Sequence, residues 1–271
     1  MVEIIKGEYT YDGAGVKLYR IIGNSSLSYI DPFMLLDEFK STNEADYIKG
    51  FPMHPHRGIE TVTYMVEGKF HHKDSKGNSG YLSTGELQWM RAGRGILHEE
   101  MPAEYDGRLW GYQLWINLAK EDKMTAPKYQ HIKSEDIPIF RNKSLQVKVI
   151  SGEYEGFTGP HEGLYPIDYF DIWMNNSAHF FKHTHRTALV YACEGSLTVK
   201  VNEDKYELKE GELCILREED HVWIYGDNAG ALYMSGDPHD DPIARGGPFV
   251  MNTKDEIIKA FKDYEDGTLQ L

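Results

Sequence analysis

Cysteine is scarce in this chain of 271 residues, and long apolar runs are missing. Two cysteines, Cys193 and Cys214, are too few for a disulfide scaffold. Because both lie in apolar, strand-like runs, we expect buried free thiols. No segment approaches the roughly 20 apolar residues that a transmembrane helix needs. The N-terminus has an acid at position 3 and no apolar core, which is not typical of a signal peptide. These absences predict a cytoplasmic protein without a membrane span.

Positive charge is also in short supply. The chain has 29 Lys and Arg against 43 Asp and Glu, a formal net charge of −14 at pH 7. Such a surface repels phosphate backbones, and no basic stripe is interleaved with aromatic residues. We therefore expect no direct contact with nucleic acid. A protein partner is not excluded, but nothing in the sequence identifies one.

Helix signals are few, and strand signals dominate. Short runs rich in Val, Ile, Thr and Tyr alternate with turns rich in Gly, Asn and Asp. The clearest runs are Thr61–Val66, Leu145–Ile150, Ile167–Met174, Leu197–Val201 and Leu213–Leu216. Many short strands of this kind predict an all-β sandwich or barrel.

One C-terminal helix is predicted. Thr253 and Glu256 have the spacing of a capping box, and Gly267 can end the helix. Apolar residues follow at helical spacing. They are Ile257, Ile258, Phe261 and Tyr264. This pattern favours a packing helix rather than a functional one.

A weak internal repeat divides the chain. In each half a His-x-His pair is followed by Tyr-x-x-Glu-Gly, then Gly-Glu-Leu, then a single histidine. These motifs begin at residues 54, 64, 85 and 98 in the first half, and at 183, 191, 211 and 221 in the second. The order predicts a duplicated β-unit. We expect an N-terminal domain over 1–130 and a C-terminal domain with the helix over 131–271, joined near 126–137.

Two pairs of metal-ligating residue types have strand spacing. Side chains alternate faces along a strand, so His54 and His56 share a face, and so do His98 and Glu100. Glu99 then points the opposite way. If the two strands meet inside a barrel, three imidazoles and one carboxylate converge. The spacing therefore predicts a site for one divalent transition metal.

This ligand set limits the chemistry of the metal. Imidazole suits Zn, Cu, Fe and Ni, and a carboxylate is compatible with Fe and Mn. Four protein ligands on a six-coordinate ion leave two positions for substrate or dioxygen. The ligating histidines must be neutral, so affinity should fall below about pH 6.5. Apolar neighbours predict a cavity wall that suits a flat aromatic substrate. These neighbours are Phe51, Met53 and Met101.

At these residues the chain resembles the pirin family within the cupin superfamily. Four blocks carry the resemblance. They are DPFMLLDEF (31–39), GFPMHPHRGIETVTY (50–64), GELQWMRAGRGILHEEMP (85–102) and GGPFVMNT (246–253). The resemblance implies two stacked cupin barrels with metal only in the N-terminal one. It also implies that the ligands are His54, His56, His98 and Glu100.

The resemblance further implies an activity. Pirin-like proteins are associated with iron and with quercetin 2,3-dioxygenase activity, so we expect Fe(II), a small aromatic substrate and dioxygen. In this scheme Glu100 accepts the substrate's hydroxyl proton. Glu60 stands where a general cupin has its glutamate ligand. It has the parity of the two histidines and is a candidate cavity residue, although a hydrogen-bonding role in the core is the preferred interpretation.

Two other functions stay open at this point. One is an iron-dependent, redox-sensing regulatory protein without turnover, and the other is a cupin isomerase or hydrolase with a redox-inert metal. A second metal site is not expected. His183 matches His56, but Phe181 stands at the position of His54, and His221 falls three residues short of the position of His98. His71 and His72 precede a polar turn, and we expect both to be solvated.

Overall fold

The computed structural model describes residues 2–103, 107–161, 163–182, 186–217 and 221–271. At residues 177–182 and 221 it describes the backbone but not the side chains. Strands make up most of the described chain. The strands that precede residue 133 are β1 (Val2–Lys6), β2 (Glu8–Asp12), β3 (Val16–Ile22), β4 (Phe33–Ser41), β5 (Phe51–His56), β6 (Ile59–Glu67), β7 (Lys69–Asp74), β8 (Ser79–Ser83), β9 (Leu87–Arg91), β10 (Ile96–Pro102), β11 (Leu109–Asn117) and β12 (Lys128–Ile132).

The remaining strands are β13 (Ile139–Arg141), β14 (Leu145–Ser151), β15 (Glu153–Tyr154), β16 (Phe157–Thr158), β17 (Ile167–Met174), β18 (Ser177–Lys182), β19 (Thr187–Glu194), β20 (Ser196–Val201), β21 (Asp204–Lys209), β22 (Glu212–Arg217), β23 (His221–Gly226), β24 (Ala229–Gly236), β25 (Ala244–Gly246) and β26 (Phe249–Met251). Short 3₁₀ turns cover Glu44–Asp46, Lys120–Asp122 and Ser134–Asp136, and one α-helix, α1, covers Lys254–Glu265. No helix in the described ranges is long and apolar enough to cross a membrane.

The chain divides into two compact units. The first unit comprises 8–23, 31–134 and 239–271, and the second comprises 1–7, 24–30 and 135–238. This division departs from the single cut expected at residue 130, because each end of the chain joins the other half's unit. Strand β1 pairs with β22 in the second unit, whereas α1 lies in the first. Sheet pairing over such sequence distances leaves no local pattern that could have predicted it.

Each unit contains one seven-stranded and one four-stranded antiparallel sheet. In the first unit the orders are β12-β9-β6-β11-β4-β3-β2 and β5-β10-β7-β8. In the second they are β1-β22-β19-β24-β17-β14-β13 and β18-β23-β20-β21. The two sets correspond strand for strand, so the predicted all-β fold and duplicated unit are confirmed, and both units are cupin domains.

The repeated motifs occupy equivalent turns in the two units. The glycine of Tyr-x-x-Glu-Gly has a positive φ in both, 108° at Gly68 and 73° at Gly195. The glycine of Gly-Glu-Leu behaves likewise, with φ of 81° at Gly85 and 85° at Gly211. Because side chains with a Cβ rarely adopt these angles, the glycines fix the same strand exits twice.

Apolar side chains fill the interior of each unit separately. In the second unit β14, β17, β19, β22 and β24 contribute one large cluster of buried residues. Cys193 and Cys214 are both buried free thiols there, as expected. In the first unit smaller clusters surround the polar residues at 54–100. Polar groups enclosed by these apolar clusters must find partners within the fold or bind a ligand.

The predicted helix is confirmed. Thr253 caps it with the full reciprocal capping box to Glu256, and Gly267 follows its end with φ of 70°. The side chains it buries are Ile257 and Ala260, and the other predicted stripe residues remain largely exposed. The segment is tied to the metal-ligand region by a buried arginine. Arg57, which follows His56, donates to Asp263 Oδ2 at 2.8 Å and to the carbonyl of Leu269 at 2.9 Å.

Candidate metal centre

Three histidines of the first unit meet at one point. Strand β5 pairs with β10 so that His54 lies opposite His98 and His56 lies opposite Ile96. The ring centroids are 4.4 Å apart for His54 and His98, 4.8 Å for His54 and His56, and 5.0 Å for His56 and His98. One nitrogen from each ring lies within 4.8 Å of the others. The group has the geometry of a site for one metal ion.

The local sequence explains why β5 can carry this group. β5 is an edge strand of its sheet, which accommodates Pro55 because an edge proline breaks no ladder. The strand ends at His56, and Gly58, two residues further on, has a φ of 79°. A Cβ at Gly58 would lie 2.0 Å from the carbonyl oxygen of Val250. Only glycine fits there, so the chain leaves β5 immediately after His56.

Backbone carbonyls set the tautomers of two histidines. His54 Nδ1 is 2.9 Å from the oxygen of Pro52, and His56 Nδ1 is 3.3 Å from the oxygen of Pro248. A carbonyl can only accept, so each Nδ1 carries the hydrogen and each Nε2 keeps a lone pair for a metal. Pro248 belongs to the GGPFVMNT block, which gives that block a direct contact with the site.

His98 also indicates a metal site, through the surroundings of its ring. Its ring is 0% exposed, and neither ring nitrogen has a hydrogen-bond partner among the described residues. A buried imidazole without partners is costly unless it binds something. The three nitrogens therefore fit a metal ion.

Burial also keeps these imidazoles neutral. It lowers the pKa of His54, and it lowers the pKa of His56 and His98 well below the usual histidine range. Neighbouring His54 adds to the effect on the other two. Neutral imidazole is the form that binds metals, so the apo site is poised to accept one near neutral pH.

Glu100 enters the same region from β10. A register shift between His98 and Glu100 places the latter opposite Phe51. Glu100 Oε1 lies 2.5 Å from Thr63 Oγ1, which in turn lies 2.8 Å from Gln113 Oε1. Thr63 Oγ1 is the donor in both contacts, and because a hydroxyl has one hydrogen, it serves one of the two acceptors at a time.

The protonation state of Glu100 follows from its burial. It is 4% exposed, and burial raises the pKa of Glu100 to about 7 against the opposing effect of the Thr63 hydrogen bond. Thr63 and Gln113 were missed by sequence reasoning. They lie opposite one another on β6 and β11, and no motif marks that pairing.

A cavity of about 540 Å³ opens beside the histidines. This volume is in the range of small-molecule sites. Apolar side chains dominate its wall, and His54, His56 and Glu100 lie at the site end. The other lining residues are Asp12, Gly13, Ala14, Leu18, Arg20, Leu35, Asp37, Phe39, Phe51, Pro52, Gln113, Trp115, Arg245, Gly247 and Pro248. The cavity therefore offers an aromatic-sized space next to the metal-ligating atoms.

A charged network lines the same cavity. Arg20 donates through Nε and Nη2 to the two oxygens of Asp37 at 2.9 and 2.7 Å, and through Nη2 to Asp12 at 2.7 Å. The Arg245 guanidinium lies over the Trp115 ring, 5.0 Å from its centroid. Trp115 also contacts His56, and their ring centroids are 5.0 Å apart. The Trp115 side chain therefore lies between Arg245 and one of the candidate metal ligands.

The predicted substrate contacts separate into two groups. Phe51 lines the cavity. Met53, Glu60 and Met101 do not line it within the part of the chain described, and Met53 is 39% exposed. Glu60 instead accepts from Trp89 Nε1 at 2.8 Å and from Arg91 Nε at 3.0 Å. Glu60 lies in β6, whereas His54 and His56 lie in β5, so the alternation of faces does not carry over from one strand to the next. Of the two predicted roles, the hydrogen-bonding role in the core is the one observed.

The prediction that His72 is solvated is wrong. Its side chain is 2% exposed and stacks on Tyr129, with centroids 5.0 Å apart. Its ring also lies 5.7 Å from that of His98. Burial lowers the pKa of His72 to about 4, so it is neutral beside the site. Tyr129 comes from β12, too far along the sequence for any local pattern to reveal the contact.

The second unit offers no comparable observation. His183 and His185 lie outside the described residues, and so does the side chain of His221. The expected absence of a second metal site therefore stays a prediction.

Comparison with known proteins agrees with the fold. Residues 15–116 match the family model Pirin, and 169–270 match the Pirin C-terminal cupin domain. A Pseudomonas aeruginosa protein provisionally named quercetin 2,3-dioxygenase is 40% identical, over 99% of this chain and 97% of that protein. The crystal structure of quercetin 2,3-dioxygenase from Acinetobacter baumannii has a TM-score of 0.89 at 32% identity, covering 98% of this chain and 96% of that one.

A more distant structure shares the fold. The nickel(II) complex of a bacterial pirin from Escherichia coli has a TM-score of 0.66 at 20% identity, covering 88% of this chain and 99% of that one.

The fold and the histidine group together define a bicupin with one candidate metal centre in its first unit. Since two family models and a relative of 40% identity span most of its length, the chain belongs to the pirin family.

Proposed function

We propose that the chain is a metal-dependent dioxygenase that opens the central ring of a flavonol such as quercetin with dioxygen and releases carbon monoxide. The observation that carries this proposal is the convergence of three imidazole nitrogens beside a cavity of aromatic size. The names of the Pseudomonas and Acinetobacter relatives support the substrate class.

The ligands we propose are His54, His56, His98 and Glu100. They would hold one divalent transition metal, and Fe(II) is our choice for a reaction with dioxygen. Nickel, zinc, manganese and copper suit parts of the same donor set. When bound, the metal supplies a Lewis acid and a template for the substrate's oxygen atoms.

Glu100 is the proton acceptor in this proposal. With Oε1 engaged by Thr63, its Oε2 atom is the one available to take the hydroxyl proton of the substrate. Without metal, burial raises the pKa of Glu100 to about 7, and general bases work best near the operating pH. In this proposal Glu100 partly detaches from the metal as it takes the proton. Thr63 and Gln113 hold the carboxyl group in place while the proton arrives.

The cavity wall positions the ring and excludes water. Phe51 and Phe39 offer aromatic surface on one part of the wall, and Trp115 lies against His56. Aromatic faces of this kind favour offset or edge contacts with a planar ligand. Phe51 is the substrate contact that we retain from the sequence prediction.

Oxygen uptake tests the proposal. Iron-loaded protein should consume one dioxygen for each quercetin and release carbon monoxide, and Glu100→Gln should slow turnover by at least about 100-fold. Glu99→Gln is the matched control, since Glu99 neighbours Glu100 but does not line the cavity among the described residues. Full iron occupancy without oxygen uptake would overturn the enzyme and favour the regulatory alternative. Equal turnover with zinc and iron would instead indicate redox-inert chemistry.

A further inference from the structure

One cation in the cavity forms no direct ion pair within the described residues, although Asp37 and Asp12 are near enough for their charges to act on it. Arg245 is exposed, lines the cavity and donates from Nη1 to the carbonyl oxygen of Met34 at 3.0 Å. Within the described residues no carboxylate lies within ion-pair distance of it. A guanidinium carries five N–H donors, so most of its donor capacity remains for a ligand.

The other charges of the cavity wall are matched among themselves. Arg20 is bound by Asp37 and Asp12, and Asp12 Oδ1 also accepts from the backbone of Gly13 at 2.7 Å. These two carboxylates therefore have their oxygens engaged. Arg245 is left as the cation that faces incoming ligand, in a chain whose net charge of −14 otherwise repels anions.

The position of Arg245 relative to the metal ligands sets the length of the ligand. A single side chain, Trp115, contacts both Arg245 and His56. The guanidinium is thus separated from the His56 imidazole by the width of the Trp115 side chain. A planar molecule can reach both ends at once if it has oxygen donors at one end and an anion at the other.

We propose that, besides flavonols, the cavity binds hydroxylated aromatic acids, whose adjacent hydroxyls face His54 and His56 and whose carboxylate binds Arg245. This inference rests on the proposed function, because it takes the histidine end as the metal end. Arginine suits the role, since its planar fork binds a carboxylate through two parallel hydrogen bonds.

Binding to nickel-loaded protein tests the inference without turnover. The probes are 3,4-dihydroxybenzoate and 3,4-dihydroxybenzamide, which differ in charge and hardly in shape, and affinity is measured by titration calorimetry. We expect the acid to bind wild type at least about tenfold more tightly than the amide. Arg245→Gln should weaken the acid much more than the amide and so remove most of this preference, whereas Arg245→Lys should keep part of it. Arg141→Gln, an exposed arginine of the second unit, is the matched control.

The outcomes separate the two proposals. If the amide binds and the acid binds no more tightly, the anion site is overturned while the metal centre stands. If Arg245→Gln weakens both probes equally, Arg245 supports the wall rather than recognising an anion, and the inference is also overturned. If neither probe binds, the chelating end fails as well, which counts against the proposed function.

Discussion

At the scale of single residues, Glu100 controls the predicted pH dependence of metal binding. Burial lowers the pKa of all three histidines, which favours their neutral forms near neutral pH. Burial raises the pKa of Glu100 to about 7, and its proton must leave before the carboxylate can bind a metal. The controlling group is therefore not histidine, as the sequence suggested, but the carboxyl group.

We expect the affinity of wild type for nickel to fall about tenfold from pH 8 to pH 6, because protons compete for Glu100. Glu100→Gln should bind more weakly at pH 8 and show little change over the same range. Competition titrations with a metal-chelating dye at three pH values would measure both. A variant that keeps the full pH dependence would show that another group titrates.

The same residue should weaken the metal-free fold. The folded protein keeps the Glu100 proton up to about pH 7, whereas an unfolded glutamate loses it near 4.5. As pH rises from 4.5 through 7, ionisation of this glutamate stabilises the unfolded state relative to the folded one, so the free energy of unfolding falls over that range. The difference between the folded and unfolded pKa of Glu100 lowers the free energy of unfolding by about 3 kcal/mol above pH 7.

Glu100→Gln should accordingly stabilise metal-free protein at pH 8 by an amount on the order of 3 kcal/mol and have little effect at pH 4.5. Urea unfolding of wild type, Glu100→Gln and Glu99→Gln at the two pH values would measure it. Equal stability of all three proteins at pH 8 would contradict the assigned burial cost.

At the scale of strands and turns, the sequence predicted what lies within one strand. Parity predicted that His54 and His56 share a face, and their ring centroids lie 4.8 Å apart in β5. The pairing of His98 with Glu100 stays a prediction, because a register shift separates them and the histidine group does not include Glu100. Parity failed for Glu60, since β5 ends at His56 and β6 starts a new alternation at Ile59. It also gave no sign of Arg245, which reaches the cavity from 189 residues beyond His56 in the chain. Register between distant strands depends on tertiary packing, which local patterns do not encode.

The turn at Gly58 is the element on which the histidine group depends most. Gly58→Ala would place a Cβ 2.0 Å from Val250 O at a φ of 79°, so the chain must shift next to His56. We expect a loss of several kcal/mol and a marked loss of nickel affinity.

Gly77→Ala is the control for Gly58→Ala. Its φ is 95°, but nothing lies within 4 Å of the added Cβ, so only the backbone cost of about 1 kcal/mol applies. Thermal unfolding and nickel titration of both variants would distinguish steric displacement from glycine's conformational freedom. Equal losses for the two would contradict the close approach to Val250.

At the scale of the whole molecule, the chain builds the same two-sheet unit twice and places the histidine group in one of them. The strand order is equivalent in both: β1, from the start of the chain, forms one edge of the second unit's seven-stranded sheet, and β12, from the middle of the chain, forms the equivalent edge in the first. A ligand that binds the first unit stabilises it by mass action. How far that stabilisation spreads depends on whether the two units open separately.

We expect nickel to slow amide hydrogen exchange in β5, β10 and β11 and to leave β19, β22 and β24 unchanged, because the predicted ligands all lie in the first unit. Exchange measured by mass spectrometry with and without nickel would resolve the two units, and Glu100→Gln should reduce the difference. Strong protection of β1 together with β22 would mean either that the units open as one or that the second unit also binds metal. Repeating the measurement on His98→Ala would separate these, since protection of the second unit that survives loss of the first site must come from a metal of its own.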